Sequence, residues 1–207
     1  MSTIHTRYSV YNMALDYLDE LPIIAPPGTG PAARWLNRNF DRFVDVELSS
    51  NFWSFALEYH ELQNDGLFDK TSRWTYRYRE PNGALRIVPP TYDGQRDGRL
   101  IDYARVRDGV LTKHGPVLKS WWVVRVDNPG EWEPLFAEVV ASTLAINLAH
   151  KITGKATYID RLIQLRSDRI DKAYEINALE KAPEPVEQHD ILRIRGIGEG
   201  TYEDTWS

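Results

Sequence analysis

Pro31-Ala32-Ala33-Arg34-Trp35-Leu36-Asn37-Arg38-Asn39-Phe40-Asp41-Arg42-Phe43-Val44, followed by Phe52-Trp53-Ser54-Phe55-Ala56, holds the first decision about this fold. Ala33, Leu36, Phe40, Phe43 and Val44 recur at intervals of three and four, which places them on one face of a helix. Arg34, Arg38, Asp41, Arg42 and Asp45 fall mostly on the other face. The spacing predicts a helix over 31–48, opened by Pro31, which is tolerated in a first turn. Ser49, Ser50 and Asn51 should end it, with Asn51 in a left-handed cap. Upstream, Tyr11, Ala14, Leu15 and Leu18 repeat the same period and predict a helix over 10–20. Pro22 and the Pro26-Pro27-Gly28 cluster stop it, because proline lacks an amide donor and disfavours helical geometry in its predecessor.

Across 52–126 the period changes from 3.6 to 2. Trp74, Tyr76 and Tyr78 alternate with Thr75, Arg77 and Arg79, the mark of a half-exposed strand. Ala84-Leu85-Arg86-Ile87-Val88 reads as another strand, entered through the turn Pro81-Asn82-Gly83. Segments 100–106 and 110–112 flank Arg107-Asp108-Gly109 and predict a hairpin. Residues 117–126, with Trp121, Trp122, Val123, Val124 and Val126, form a β-branched and aromatic run. A small antiparallel sheet is therefore expected between two helical halves.

Helical spacing returns at Asn128-Pro129-Gly130-Glu131, with an Asn cap, Pro in the first turn and Glu three residues after the cap. Trp132, Leu135, Phe136, Val139, Val140 and Leu144 supply the buried face, and Gly154 ends the helix. A fourth helix is predicted over 156–179. Tyr158, Leu162, Leu165, Ile170, Ala173 and Ile176 are expected wholly or partly inside. Arg161, Arg166, Asp168, Arg169, Asp171, Lys172 and Glu175 form its charged side, left for solvent or for a neighbour. From Ala182-Pro183-Glu184-Pro185 onward the amphipathic period is lost. Ile191-Leu192-Arg193-Ile194-Arg195 is a short apolar and basic alternation within a polar tail, suited to docking as an added strand or extended arm.

The expected fold class is α+β: an antiparallel-type helical bundle of about four helices with an inserted small antiparallel β-sheet and an extended C-terminal tail. The domain covers 1–182, with helical halves at 8–50 and 128–181 and the β insertion at 52–126; the arm covers 183–207. Trp53, Phe55, Trp132 and Phe136 are the expected core anchors.

Composition narrows the function. The 207 residues carry a net charge of −5 with both signs interspersed, unlike the basic stripe of a nucleic-acid reader. With 0 cysteines there are no disulfides, thiolate metal sites or thiol nucleophiles. Neither an apolar signal core nor a run of roughly 18 apolar residues is seen, so synthesis in the cytoplasm and no membrane contact are expected. None of His5, His60, His114, His150 and His189 stands in a catalytic motif. Gly196-Ile197-Gly198-Glu199-Gly200 lacks the strand–helix context and the Lys-Ser/Thr of a phosphate loop. No catalytic, metal or cofactor site is expected.

The order of elements resembles the tail tubular protein A family of tailed bacteriophages, the head-to-tail adaptors. It does so over residues 8–182: Tyr11-Asn12-Met13-Ala14-Leu15 with Leu21-Pro22-Ile23, Pro31-Ala32-Ala33, Trp53-Ser54-Phe55-Ala56, Trp74-Thr75-Tyr76-Arg77-Tyr78, Leu85-Arg86-Ile87-Val88, Glu133-Pro134-Leu135-Phe136, and Leu144-Ala145-Ile146-Asn147-Leu148-Ala149 before Ile152-Thr153-Gly154. Leu18-Asp19-Glu20 departs from the Leu-Gly pair common there, and 191–195 lacks the Trp such tails often carry. The resemblance implies a virion structural protein at the head–tail junction, assembled in the host cytoplasm without a cofactor. Its copies, about twelve, would form a homo-oligomeric ring under the portal protein. That ring would extend the double-stranded DNA channel, without binding the DNA specifically, and present a platform to the tail nozzle or tube. The bundle would make the lateral contacts, Ile191, Leu192, Arg193, Ile194 and Arg195 would reach the portal, and the β insertion would face the tail. Other phage connectors, a head-closure or tail-terminator protein, are the alternative. An enzyme or regulatory module whose site is not motif-coded is the remote one.

Overall fold

A computed structural model describes residues 5–24, 28–66, 73–152 and 156–179. The chain is mixed α+β: four helices and two small antiparallel sheets. Helix α1 (Arg7–Asp16) is opened by a reciprocal cap in which the Thr6 and Ser9 side chains each accept the other's backbone N–H. It ends earlier than its apolar period because Asp19 turns left-handed, at φ 57°, and the Glu20 N–H folds back onto the Leu15 carbonyl at 3.0 Å. Pro22 is therefore not what stops it. Helix α2 (Pro31–Ser50) follows the expected face, burying Ala33, Leu36, Phe40, Phe43 and Val44. Its terminal residue Asn51 is extended, at φ −132°, instead of left-handed.

The β region makes two three-stranded sheets where one was expected. Strands β1 (Leu57–Gln63), β6 (Val117–Val124) and β3 (Ala84–Ile87) form the first, in the order β1-β6-β3. Strands β2 (Tyr76–Arg79), β5 (Gly109–Thr112) and β4 (Tyr103–Val106) form the second, in the order β2-β5-β4. Strand β1 has no clean period-2 alternation and carries Glu58, Glu61 and His60, which is why local pattern does not reveal it. The hairpin between β4 and β5 turns on Arg107-Asp108, and Gly109 is already paired with Val106. Glycine is required there for approach and not for φ: a Cβ would lie 2.1 Å from the Tyr78 carbonyl oxygen.

Strand β6 decides how the halves join. Side chains alternate across a strand, so Val123 packs into the helical core while Leu118, Trp122 and Val124 pack into a second core. Tyr78, Val110 and Ile87 complete that second core. Two arginines then tie the β region to α2: Arg86 donates to the Ser49 carbonyl at 3.1 Å, and Arg125 pairs with Asp45 at 3.3 Å and Asp41 at 3.5 Å.

Asn128 does cap a turn, but only the short 3-10 segment Pro129–Glu131. Helix α3 (Pro134–Ile152) starts at the next proline, which pushes Glu133 out of helical geometry. Its residues Phe136, Val140, Leu144 and Leu148 are fully or almost fully buried, and α1, α2 and α4 (Ala156–Leu179) all pack against it. On α4, Leu162 and Ala173 are buried and Leu165 and Ile170 half-buried, but Ile176 is exposed. The Tyr158 side chain lies outside the described residues.

The second core gives a pH test. Tyr78 is fully buried and its hydroxyl donates to the His114 carbonyl at 2.8 Å. Burial first, then the neighbouring Tyr76, pushes its pKa from 10 up to about 12. A folded-state pKa above the unfolded one contributes stability that is whole below pH 10 and lost as pH rises through about 12. At 1.36 kcal/mol per pKa unit the loss is about 2–3 kcal/mol. Urea unfolding of wild type and Tyr78→Phe from pH 9 to 12 should show a smaller decline in the variant; parallel curves would place the phenol in water.

Candidate functional site

The four expected anchors lie where the helical and β regions meet. Trp53 is 2% exposed, Trp132 and Phe136 are buried, and Phe55 is half-buried. Phe136 is the hub: its ring centroid lies 4.9 Å from Trp53, 4.9 Å from Trp132 and 5.1 Å from Phe55. Phe40 stacks on Trp132 at 5.9 Å and meets Tyr11 edge-on at 5.2 Å, so aromatic contact runs from α1 to the start of β1. Both buried indoles are satisfied, Trp53 Nε1 donating to the Glu47 carbonyl and Trp132 Nε1 to the Val126 carbonyl, each at 3.0 Å. These residues build the core and line no described cleft. Residues 191–195, the expected docking arm, lie outside the described residues.

The feature that sequence reading passed over is a buried ion pair. Glu47, only 1% exposed, occupies the apolar face of α2 one turn beyond Phe43 and Val44. Its Oε1 accepts from the Thr143 hydroxyl at 2.7 Å and from Arg166 Nη2 at 2.9 Å, and its Oε2 accepts from the same Nη2 at 2.7 Å. Arg166 Nε donates to Thr143 Oγ1 at 2.8 Å. Arg166 belongs by its spacing to the charged side of α4, yet its guanidinium turns inward to this carboxylate. The signal was present: a carboxylate on an apolar helix face must find a cation and hydrogen bonds, since burying it alone is prohibitive. What the sequence did not carry was which of the chain's arginines would come.

Among the described residues, three open clefts are seen. One of about 540 Å³ lies along the loop from α1 to α2 and is lined by Leu15, Leu21, Ile23, Ile24 and Ala33. Leu21 and Ile24 are 88% and 94% exposed. Asn12 holds this loop by accepting the Ile23 N–H at 2.8 Å and donating to the Ile23 carbonyl at 3.3 Å. A second, of about 420 Å³, is lined by Asp93, Gln95, Arg96, Asp97 and Trp121. Asp93 is held below the usual carboxylate range there, mainly by the Gln95 N–H, as expected of a turn-forming Asp. The third, of about 290 Å³, has Tyr92, Arg99, Lys113 and His114 at its rim. Among the described residues no group of three or more His, Asp or Glu is arranged to hold a metal ion.

The outer side of α4 is the most distinctive surface. Ile163 and Tyr174 stand 53% and 48% exposed on one flank of α4, about 100° round the helix from the Leu162 and Ala173 side that packs inside. The Tyr174 hydroxyl bonds to Asn51 at the end of α2, which fixes the ring in place.

Two substitutions test the interior. Trp53→Ala should cost about 3–5 kcal/mol in chemical denaturation, as removal of a fully packed indole does; a near-zero loss would mean the ring is exposed. Arg166→Met leaves Glu47 charged and unpaired, and should cost about 3 kcal/mol. Adding Glu47→Leu should recover part of that loss, a non-additivity that a double-mutant cycle measures directly.

No family model and no curated protein matches this sequence.

Proposed function

We propose that this chain is a structural protein of a tailed-phage virion, a head-to-tail adaptor whose copies, about twelve, form a ring between portal and tail. In this reading the four helices act as a bundle whose sides make the lateral ring contacts. The two sheets face the tail, residues 183–207 reach the portal, and DNA passes through the lumen. The resemblance of the sequence supplies the family. The observation that carries the reading is the exposed part of α4, where Asp168, Asp171 and Glu175 face away from the packed side and Ile163 and Tyr174 stand in solvent on one flank, on a helix held by α3 and by Glu47. A protein that works by packing against copies of itself needs a rigid face of this kind, with apolar side chains to bury and charges to fix register.

The test is native mass spectrometry of the chain, alone and mixed with the portal encoded in the same genome. Loading at about one copy per portal subunit is expected, as a ring matched in symmetry to its platform requires. A chain truncated after residue 182 should keep its thermal midpoint and lose portal loading. Full loading by the truncated chain would discard the docking arm. An intact portal ring that takes up no copies, with capping of tail tubes instead, would transfer the protein to the tail-terminator class.

A further inference from the structure

Helices α2 and α4 carry opposite charge on their outward sides. Arg34, Arg38 and Arg42 are spaced at four residues, so their side chains fall within about 80° of one another on a ridge about 12 Å long. All three are exposed, and they point away from the side that buries Leu36, Phe40 and Phe43. Arg34 donates to the Thr29 carbonyl and Arg42 lies 5.3 Å from the Phe43 ring centre. None of the three has a carboxylate partner among the described residues. Asp41 and Asp45 share the neighbourhood but are engaged by Arg7 and Arg125.

On α4, Asp160, Asp168, Asp171 and Glu175 are all exposed and also fall within about 80°, opposite the side that carries Leu162, Arg169 and Ala173. Asp168 accepts from Gln164 at 2.7 Å, and none of the four carboxylates has a cationic partner among the described residues. Arg161 and Lys172 stand on one flank of this ridge, and Ile163 and Tyr174 on the other.

Among the described residues no ion pair joins the two ridges within one chain. Arg166 docks on Glu47 and Tyr174 on Asn51, so 166–174 lies at the C-terminal end of α2. Arg42 and Arg34 stand back along α2 from Asn51 by about 13 Å and 25 Å at 1.5 Å per residue. A positive ridge with no partner and a negative ridge with no partner, on different sides of one rigid body, fit a head-to-tail contact between copies.

We propose that the arginine ridge of α2 in one copy binds the carboxylate ridge of α4 in the next, with Ile163 and Tyr174 buried beside the ionic rows. Such a contact uses two different surfaces on each molecule, so it leaves one of each free for further copies and propagates to a ring or filament. It rests on the proposed ring and supplies the lateral contact of that ring. Each ion pair alone is worth little at a surface, but three in register with adjacent apolar burial select partner and orientation.

The experiment uses two triple variants of the full chain. Arg34→Glu/Arg38→Glu/Arg42→Glu makes both ridges acidic, and Asp168→Lys/Asp171→Lys/Glu175→Lys makes the outer side of α4 basic like that of α2. Sedimentation velocity at up to about 1 mM protein in about 0.05 M salt, where the Debye length exceeds 10 Å, reads association. Wild type should self-associate, and each variant alone should lose at least about tenfold in association constant. An equimolar mixture should regain it, because every junction in an alternating assembly is again of opposite charge. That recovery excludes misfolding as the cause of the loss. A wild type that stays monomeric, variants that associate as wild type does, or a mixture that stays dissociated overturns the contact. If both variants still load the portal fully, the ring stands and this contact falls; if wild type neither self-associates nor loads the portal, the ring falls with it. Binding of the arginine ridge to duplex DNA in place of the second copy would show as a mobility shift lost in the first variant and unaffected in the second, and would also overturn it.

Discussion

The Glu47 carboxylate is the constraint on which the helical half depends. It sits on a helix face otherwise made of Leu36, Phe40, Phe43, Val44 and Leu48, where an ion without partners is not tolerated. Its three hydrogen-bond donors, the Thr143 hydroxyl on α3 and Arg166 Nε and Nη2 on α4, come from two other helices. Satisfying one charge therefore fixes three helices relative to one another. Apolar packing of α4 on α3 would tolerate rotation of α4 by a fraction of a turn, since Leu162, Leu165, Ile170 and Ala173 offer a broad stripe. The fork of Arg166 Nε and Nη2, donating to the two Glu47 oxygens at 3.2 Å and 2.7 Å, does not tolerate it, because a planar guanidinium matches a carboxylate in one orientation only. The rotational setting of α4 also sets which residues face outward.

A second constraint joins the helices to the sheets. Strand β6 is the central strand of its sheet and belongs to both cores, Val123 on the helical side and Trp122 and Val124 on the other. Trp122 Nε1 finds its acceptor in Ser120 Oγ, two residues back on the same strand face, at 2.9 Å. Thus the largest buried residue of the second core is satisfied locally and can be enclosed without water. Around this strand the aromatic chain Tyr11, Phe40, Trp132, Phe136 and Trp53 closes the junction. The outward surfaces of α2 and α4 gain their rigidity from this interior and not from any interaction of their own.

The proposed role needs little chemistry and much geometry. In an assembly protein, function resides in where charged and apolar side chains are held, so the residues that matter include interior ones such as Glu47 and Phe136. The exposed residues Ile163, Tyr174, Arg38 and Asp171 are ordinary in type. In the proposed ring it is their placement on two helices fixed by the interior, and not their type, that would make them a contact surface.

Sequence alone determined the four helices, the α+β class and the burial of Trp53, Trp132 and Phe136, because these follow from periodicity and side-chain size, which are local properties. It also located the hairpin at Arg107-Asp108-Gly109, though not that Gly109 is there to clear the Tyr78 carbonyl. Ends were less legible: α1 stops on a left-handed Asp19, and α3 waits for Pro134, since competing stop and start signals differ by less than their tertiary surroundings contribute. Strand β1 and the division into two sheets were not legible, because a strand's partner is chosen by distant packing and not by its own alternation. The partnership of Glu47 with Arg166, 119 residues away, was beyond any local pattern. A buried charge announces that it needs a partner, but only the assembled fold brings one within 3 Å and thereby decides which side of α4 faces out.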